Sequence, residues 1–390
     1  MNQSICGAKV EQFRGQMPVT ERFAYFDNAA VAPISSPAVE AISQWMGESA
    51  REGDVEWLRW ARRVEQIRGT TATLIGAEPG EIAFVGNTSA GLSLVAEGFP
   101  WKQGDNIVTL ANEFPSNQYP WLNLTSRGVE TRCVPVESSR VDLNRLADAC
   151  DEKTRIVSVS WVGYATGYRL DPAEVADLAH DRGALLCLDA IQGLGVFPLD
   201  VTSAKIDFLA ADGHKWLLGP EGAGVFFLRQ EHLDLLRPTV VGWHSVENAH
   251  DFSSIDFQLR DEAARFEAGS QNMVGVLGMG ASIDLLVETG LSPTTSTIAE
   301  QVLRLGDYAC QRLTELGATI ISDRTPNHAS GIISFQLPGH DPGEVVKHCA
   351  AMDVILSSRH GWLRISPHGY NNEADIDRLI AAFASLPGSP

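Results

Sequence analysis

Short apolar runs alternate with amphipathic stretches between about residues 82 and 228. The apolar runs are rich in β-branched residues and predict strands at 82–85, 106–110, 131–135, 154–160 and 185–188. The stretch 171–183 predicts a helix, because Asp171 can cap it, Pro172 suits its first turn and Gly183 can end it. Strands that alternate with helices in this way predict an α/β fold with a mostly parallel sheet covered by helices.

The pattern changes after about residue 278. A long helical stretch, three short apolar runs and a closing helix predict a smaller α+β domain, with elements at 296–316, 319–322, 331–335, 354–356 and 374–386. We therefore predict a large domain over residues 22–278 and a small domain over residues 279–390, with residues 1–21 packing near the small one. No Pro- or Ser-rich linker separates them, so we expect a tight interface whose cleft forms part of the active site.

Composition restricts the classes of partner. The chain has 390 residues, of which 44% are hydrophobic and 20% charged, as in soluble globular proteins. A net charge of −19 argues against nucleic acid and anionic membrane as partners, because those surfaces select basic patches, and it leaves small metabolites. The N-terminus has no long apolar stretch or basic leader, and no later run reaches membrane-spanning length. The cysteines are scattered, so we expect reduced thiols and a cytoplasmic protein: Cys6, Cys133, Cys150, Cys187, Cys310 and Cys349.

Lys215 lies in the segment 206–228, where two apolar runs flank a glycine-rich turn. Desolvation there favours a neutral amine, which can form a Schiff base with an aldehyde. Asp189 ends an earlier apolar run, so its carboxylate can face a protonated pyridine nitrogen. Taken alone, these residues are an ordinary loop lysine and an ordinary helix cap, but the other lysines lie in polar or helical surroundings without an acid-bearing strand. The pairing therefore indicates pyridoxal phosphate.

Three further segments carry side chains suited to this cofactor. Thr88 and Ser89 lie where a strand meets a helix, and the exposed amides of a helix N-terminus bind phosphate. An N-cap without a ligand is the alternative. Phe114 offers an aromatic plate with Asn117 as a polar neighbour, or is a core phenylalanine. Ser270 follows a glycine in a short polar loop that can reach a phosphate or a carbonyl.

In this order and spacing, the segments resemble the aminotransferase class V family of pyridoxal phosphate enzymes, of fold type I. Within it, the chain is most similar to the cysteine desulfurases, selenocysteine lyases, isopenicillin N epimerases and kynureninases. The resemblance covers most of the chain and is carried by segments 25–30, 87–91, 113–117, 189–192, 213–215, 265–269, 363–366 and 370–371. It implies the fold type I architecture, with a sheet of the seven-stranded, mostly parallel type in the large domain and a smaller α+β C-terminal domain.

The resemblance implies a role for each matching residue around the cofactor. Lys215 forms the Schiff base and acts as acid and base at the substrate Cα, Asp189 pairs with the pyridine nitrogen, and Gln192 bonds the phenolic oxygen. The remaining implied cofactor contacts are Thr88, Ser89 and His214 at the phosphate, Phe114 on the ring face, and Asn117.

Substrate and partner contacts are implied as well. Arg364 matches the position that binds the substrate α-carboxylate, a task suited to a bidentate guanidinium; a surface salt bridge is the alternative. Asn28 and Ala29 are the other implied substrate contacts. Ser270 comes from the partner subunit in this family, so the resemblance implies a homodimer with composite sites. We assign no metal-ligating residues.

The sequence departs from the cysteine desulfurases at three places. Those enzymes carry a nucleophilic cysteine on a flexible loop shortly before the carboxylate-binding arginine, whereas residues 357–364 run directly to that arginine and Cys349 lies upstream in a helical stretch. They also tend to have a histidine, which can transfer protons, where Phe114 stands. Asp212 stands where a small hydroxyl is expected near the phosphate, and its charge would repel a phosphate unless it points away or bonds His214.

We therefore predict a pyridoxal phosphate enzyme that acts at Cα of an amino acid through Schiff-base and quinonoid intermediates, with epimerase- or lyase-type chemistry. The alternatives are a cysteine desulfurase and a kynureninase-like hydrolase, for which aromatic residues such as Trp243 can shape an aryl pocket. A catalytically silent binding protein is the non-enzymatic alternative, and the intact set of cofactor residues argues against it.

Overall fold

The structure, a computed structural model, describes residues 2–137 and 139–387, with side chains from Gly7 onward. Its helices are α1 (Asn2–Gly15), α2 (Ser36–Glu52), α3 (Trp57–Ile75), α4 (Thr88–Gly98), α5 (Tyr119–Leu122), α6 (Leu143–Ala149), α7 (Pro172–Asp181), α8 (Met273–Thr289), α9 (Thr297–Glu315), α10 (Pro342–Ala351) and α11 (Glu373–Ala384). Its strands are β1 (Ala24–Tyr25), β2 (Ile82–Val85), β3 (Asn106–Leu110), β4 (Glu130–Val134), β5 (Thr154–Ser160), β6 (Leu185–Asp189), β7 (Phe208–Asp212), β8 (Gly224–Leu228), β9 (Thr319–Ile320), β10 (Ile333–Gln336), β11 (Val354–Ile355), β12 (Ser357–Arg359) and β13 (Trp362–Ile365). Within these residues, no helix is both long enough and apolar enough to cross a lipid bilayer.

A seven-stranded sheet forms the centre of the large domain, in the order β2-β8-β7-β6-β5-β3-β4. The strands β3 to β7 run parallel, whereas β8 is antiparallel to both of its neighbours. This confirms the predicted α/β fold of type I with a mostly parallel sheet. The strands predicted between residues 82 and 188 end within one residue of the observed ones.

The small domain contains a four-stranded antiparallel sheet in the order β12-β13-β10-β9, against which α9, α10 and α11 pack. Strand β1 pairs in parallel with β11, so the N-terminal strand is hydrogen-bonded to this second half of the chain. The predicted boundary between residues 278 and 279 falls inside α8, whose apolar side chains belong to the core of the large domain. The domain limits stay a prediction, and a boundary near Thr289 fits this packing better.

Helix α4 lies close against β7 because Gly91 has no side chain. A Cβ atom at this position would lie 2.7 Å from the Cβ atom of Ala210. The close approach sets the N-terminus of α4 beside the end of β7, where the backbone N–H of Asp212 donates to Oγ1 of Thr88 at 2.9 Å. The two elements therefore bring segments 87–89 and 212–215 to one edge of the sheet.

A buried ion pair between Arg68 and Glu267 fixes the start of β2. Each side chain is 3% exposed, and Nη1 of Arg68 lies 2.6 Å from Oε1 of Glu267. Arg68 also donates to the carbonyl of Ile82 at 2.8 Å, and Glu267 accepts from the N–H of Phe84 at 2.7 Å. Because water cannot replace these partners, the pair ties α3, β2 and the segment around Glu267 together.

We expect Glu267→Ala to lower the free energy of unfolding by about 3–5 kcal/mol, because it leaves the Arg68 guanidinium buried without its counter-charge. Glu65→Ala is the matched control, since Glu65 binds the same guanidinium at 3.0 Å but is 62% exposed, and it should cost less than about 1 kcal/mol. Urea unfolding followed by tryptophan fluorescence measures both. Equal losses in the two variants would contradict the assignment of stability to the buried pair.

Candidate active site

A cavity of about 260 Å³ opens at the carboxyl ends of the central strands, next to the hairpin formed by β12 and β13. Ligands of parallel sheets gather at this edge. Most of the residues proposed from the sequence line it: Ala29, Thr88, Ser89, Phe114, Asp189, Gln192, His214, Lys215 and Arg364. The fold thus brings together side chains from distant parts of the chain, from Ala29 to Arg364.

Lys215 follows β7 on a tight turn, in which the N–H of Gly219 donates to the carbonyl of Gly213 at 2.8 Å. Its side chain is buried and lines the cavity, and its Nζ has no hydrogen-bond partner among the described residues. Burial lowers the pKa of the amine below its ordinary value of 10.5, while Asp189 opposes this shift and Arg364 adds to it. The neutral amine that attacks an aldehyde is therefore more populated than on a surface lysine.

Asp189 ends β6 and is 2% exposed. The N–H of Ile191 donates to Oδ1 at 3.1 Å, whereas Oδ2 has no hydrogen-bond partner in the described part of the chain. Burial raises the pKa of Asp189, and the Ile191 bond and the charge of Lys215 oppose this. A cationic ring nitrogen that donates to Oδ2 stabilises the carboxylate, so the residue suits a pyridinium partner.

A second buried carboxyl group, that of Glu113, lies near Asp189 and was not singled out by sequence reasoning. It accepts hydrogen bonds from both the N–H (2.7 Å) and the hydroxyl of Ser160. Burial raises the pKa of Glu113 to about 7, the bonds from Ser160 lower it, and the charge of Asp189 raises it further. Glu113 is therefore partly protonated at neutral pH, which reduces the repulsion between the two carboxyl groups.

The N-terminus of α4 forms the opposite end of the cavity. Asn87 caps the helix by accepting from the N–H of Ala90 at 2.8 Å, which leaves the N–H groups of Thr88 and Ser89 without a partner among the described residues. Free amides at the start of an 11-residue helix, with two hydroxyl groups beside them, suit a phosphate group.

Asp212 and His214 lie next to this phosphate cradle. Oδ2 of Asp212 is 3.0 Å from Nδ1 of His214, but the angle does not make a hydrogen bond. Nδ1 of His214 and Oδ1 of Asp212 are buried without a hydrogen-bond partner among the described residues. The carboxylate therefore lies beside the imidazole, without the hydrogen bond to His214 that is one of the two arrangements expected from the sequence.

Gln192 and Phe114 lie where the ring of the cofactor is expected. Gln192 accepts from Nε1 of Trp216 at 2.8 Å and donates to the carbonyl of Ala29 at 3.0 Å, so one amide N–H remains for a phenolic oxygen. Phe114 is 43% exposed rather than a core residue, and its ring lies edge-to-face with Tyr164 at 5.2 Å between centroids. Both side chains are therefore available to a planar ligand.

Arg364 is buried but keeps part of its guanidinium free. Its Nη1 donates to the carbonyl of Tyr164 at 2.8 Å, Nη2 to Oδ1 of Asp27 at 3.1 Å, and Nε to the hydroxyl of Ser357 at 3.3 Å. Three of the five N–H groups are thus used, and one on each Nη remains without a partner among the described residues. Such a fixed fork suits a bidentate carboxylate, and the surface salt bridge considered from the sequence is wrong because the side chain is 1% exposed.

The structure does not bring Asn28, Asn117 and Ser270 to the cavity. Asn28 donates to the carbonyl of Ser366 and accepts from the hydroxyl of Tyr370, each at 2.8 Å. Asn117 is fully buried, and its Oδ1 accepts from Trp121 and Ser158. Ser270 is exposed. These placements do not support direct contacts of Asn28 or Asn117 with substrate or cofactor, and the role of Ser270 stays a prediction about a partner subunit.

The family model for aminotransferase class V matches residues 24–379. The chain belongs to this family. A relative from Methanothermobacter thermautotrophicus, named probable cysteine desulfurase, is 33% identical over 97% of this chain and 98% of its own. The structure of a cysteine desulfurase from Thermococcus onnurineus NA1 superposes with a TM-score of 0.86 at 29% identity, over 96% of each chain. A mutant of a protein named C-DES, with glycine linked to its cofactor, has a TM-score of 0.89 over 96% of this chain and 99% of its own, but its 22% identity shows the fold alone.

Aminotransferase class V enzymes use pyridoxal phosphate, and the residues present fit it. The buried amine of Lys215 matches its aldehyde, and the free Oδ2 of Asp189 matches its ring nitrogen. The free amides of Thr88 and Ser89 match its phosphate. The buried Nδ1 of His214 supplies a further polar atom without a partner among the described residues. The cofactor and the enzyme class predicted from the sequence are confirmed, while the role of each residue stays a prediction.

Sequence reasoning missed Arg359 and Tyr164 as residues that line the cavity. Neither residue has a role assigned from the sequence. The signal that reveals Arg359 is the two-residue turn at His360 and Gly361, because a hairpin here places Arg359 on the same face as Arg364.

The pH dependence of cofactor binding tests the state of Lys215. We expect the rate at which the apoprotein binds pyridoxal phosphate to rise with pH, with a midpoint below 10.5, because burial lowers the pKa of the amine. Asp189→Asn should move the midpoint further down, since the charge of Asp189 retains the proton. Visible absorbance after mixing measures the rate across a pH series. Lys205→Ala, at an exposed lysine, should keep the wild-type midpoint, and a midpoint that rises in Asp189→Asn would contradict this account.

Proposed function

We propose that the protein is a pyridoxal phosphate-dependent lyase that cleaves the carbon–sulfur bond of cysteine or of a cysteine derivative, without storing the sulfur on a cysteine of its own chain. The observation that carries the proposal is a cavity with contacts for the cofactor and for a carboxylate but with no thiol among the described residues that line it. Relatives named cysteine desulfurases, at 33% and 29% identity, support sulfur chemistry.

The described cysteines lie away from the cavity and are poor nucleophiles. Burial raises the pKa of Cys349, in α10, to about 12, and it raises the pKa of Cys187, in β6, as well. Because the thiolate is the reactive form, both thiols are inert near neutral pH.

Free thiols also support the proposed cytoplasmic location, and five cysteines of the described chain are free: Cys133, Cys150, Cys187, Cys310 and Cys349.

A tight hairpin stands where the resemblance to desulfurases implies a flexible loop with a nucleophilic cysteine. The turn between β12 and β13 consists of His360 and Gly361, with φ of 52° and 79°. Nε2 of His360 lies 2.7 Å from the hydroxyl of Tyr164, so the turn is tied to the wall of the cavity. A thiol that carries sulfur out of the cavity needs a mobile segment, and this hairpin is too short to provide one.

Arg364 and Lys215 have different roles in the proposed reaction. Bound pyridoxal phosphate supplies an electron sink that stabilises negative charge at the substrate Cα. Arg364 orients the substrate through its two free N–H groups, and the amine of Lys215 removes the proton from Cα. The sulfur then leaves from Cβ with its electron pair. Cysteine and water give pyruvate, ammonia and hydrogen sulfide, so the reaction needs no oxidant or reductant.

The relatives reported above are named for desulfuration of cysteine, so they support the desulfurase alternative better than the epimerase-type prediction. A lyase keeps the sulfur substrate of those relatives and needs no cysteine nucleophile. It also agrees with Phe114, which cannot transfer a proton, at the position where desulfurases tend to have a histidine.

The products from L-cysteine test the proposal. We expect the enzyme to release pyruvate, ammonia and sulfide in equal amounts, as measured by mass spectrometry and a sulfide assay, because the sulfur leaves without a covalent acceptor on the chain. Lys215→Ala should abolish all three products, and Cys349→Ser should keep the wild-type rate. Alanine as the main product, with one sulfur atom added to the mass of the protein, would establish a desulfurase instead.

We also propose that the active protein is a homodimer in which Ser270 reaches the cavity of the partner. Ser270 is exposed and does not line the cavity of its own chain. The preceding segment exposes large apolar side chains, among them Phe252 at 76%, Ile255 at 98% and Phe257 at 70%. Apolar side chains at this level of exposure favour contact with another protein surface.

Complementation tests the composite site. Ser270→Arg should inactivate the enzyme by placing a bulky cation in the partner's cavity, and Lys215→Ala should inactivate it in its own. After denaturation and joint refolding, a mixed dimer contains one site with both native residues. We therefore expect activity to return only in the mixture. Two inactive variants that stay inactive together, although sedimentation shows a mixed dimer, would place Ser270 outside the partner's site.

A further inference from the structure

Arg359 lines the cavity without a counter-charge. Its Nη1 donates to the carbonyl of Ser358 at 2.8 Å, and no carboxylate of the described residues forms an ion pair with it. The chain has 49 acidic residues against 30 lysines and arginines, so an acidic partner is easily available to an arginine. An arginine that lines a ligand cavity without a partner carboxylate is available to an anion that comes from outside.

The carboxylates in and around the cavity lie beside groups other than Arg359. Asp27 pairs with Arg364, Asp212 faces His214, and Asp189 lies at the end where the ring nitrogen of the cofactor is expected. The positive charge of Arg359 instead lowers the pKa of two other cations, Lys215 and Arg364. This part of the cavity is consequently positive, and one carboxylate bound by Arg364 leaves Arg359 unsatisfied.

The hairpin fixes the backbone positions of the two arginines. Ser357 pairs directly with Arg364, and Arg359 lies two residues further along β12, so Arg359 and Arg364 project from the same face as diagonal neighbours. Such neighbours are about 7–8 Å apart along the sheet. The contact between His360 and Tyr164 holds the turn next to Arg359 in place. The two free N–H groups of Arg364 suffice for one carboxylate, which leaves Arg359 for a second acidic group.

We propose that Arg359 binds a second acidic group of the substrate, located on the sulfur side of the carbon–sulfur bond. The substrate class is an S-substituted cysteine whose substituent ends in a carboxylate or another acidic group, with the α-carboxylate on Arg364. The choice of a carbon–sulfur bond as the bond that is broken rests on the proposed lyase function. The binding of an acidic group by Arg359 does not depend on that function.

Binding of two matched ligands tests the position. S-(2-carboxyethyl)-L-cysteine and its amide, S-(2-carbamoylethyl)-L-cysteine, have nearly the same shape and differ in charge. We would titrate both into the Lys215→Ala protein loaded with pyridoxal phosphate, which cannot consume them, and measure dissociation constants by calorimetry. We expect the acid to bind about 10- to 100-fold more tightly than the amide, which is the contribution of one or two charge-assisted hydrogen bonds.

Adding Arg359→Ala to this protein should remove the preference for the acid, and Arg359→Lys should retain part of it. Arg127→Ala, at an exposed arginine that pairs with Glu97, is the matched control and should keep the full preference. Equal affinities for acid and amide before Arg359 is changed, or a preference that survives Arg359→Ala, would overturn the proposal. Product analysis with wild type separates the two claims: a charge preference without carbon–sulfur cleavage keeps the binding position and rejects the lyase.

Discussion

The removal of charged groups from water at the carboxyl edge of the sheet is the constraint on which the rest of the site depends. Lys215, Asp189 and Arg364 are all buried there, and each is tolerated because another charge or a hydrogen bond compensates it. The same burial weakens the hold of Lys215 on its proton and strengthens every interaction between a charge and a ligand. Reactivity and binding in this cavity therefore have one physical origin.

The large domain and most of the residues that line the cavity could be predicted because their signals are local. Some central strands are apolar runs that end next to a residue of the cavity, as in β6 with Asp189 and β7 with the turn to Lys215. The predicted domain boundary, which stays a prediction, falls inside α8, because this helix is apolar on nearly all sides and shows no periodicity that marks where it belongs.

Other features depend on pairing between distant segments. The strands β12 and β13 have three and four residues, too few for an alternating pattern to be recognised, so the hairpin and the exposure of Arg359 to the cavity were not predicted. Glu113 lies in the segment 113–117, in which only Phe114 and Asn117 are assigned roles from the sequence. Its contact with Ser160 joins residues that are 47 positions apart. Asn117 seemed a cofactor contact, but its amide oxygen is used by Trp121 and Ser158.

The pairing of β1 with β11 has a consequence for the order in which the protein is completed. Asp27, which binds Arg364, leaves the ribosome well before β11 and Arg364, because most of the described chain lies between them. The nascent chain can therefore assemble much of the central sheet before Arg364 has been synthesised. A chain truncated before residue 354 lacks both the pairing and the arginine, so it also lacks the contact between Asp27 and Arg364.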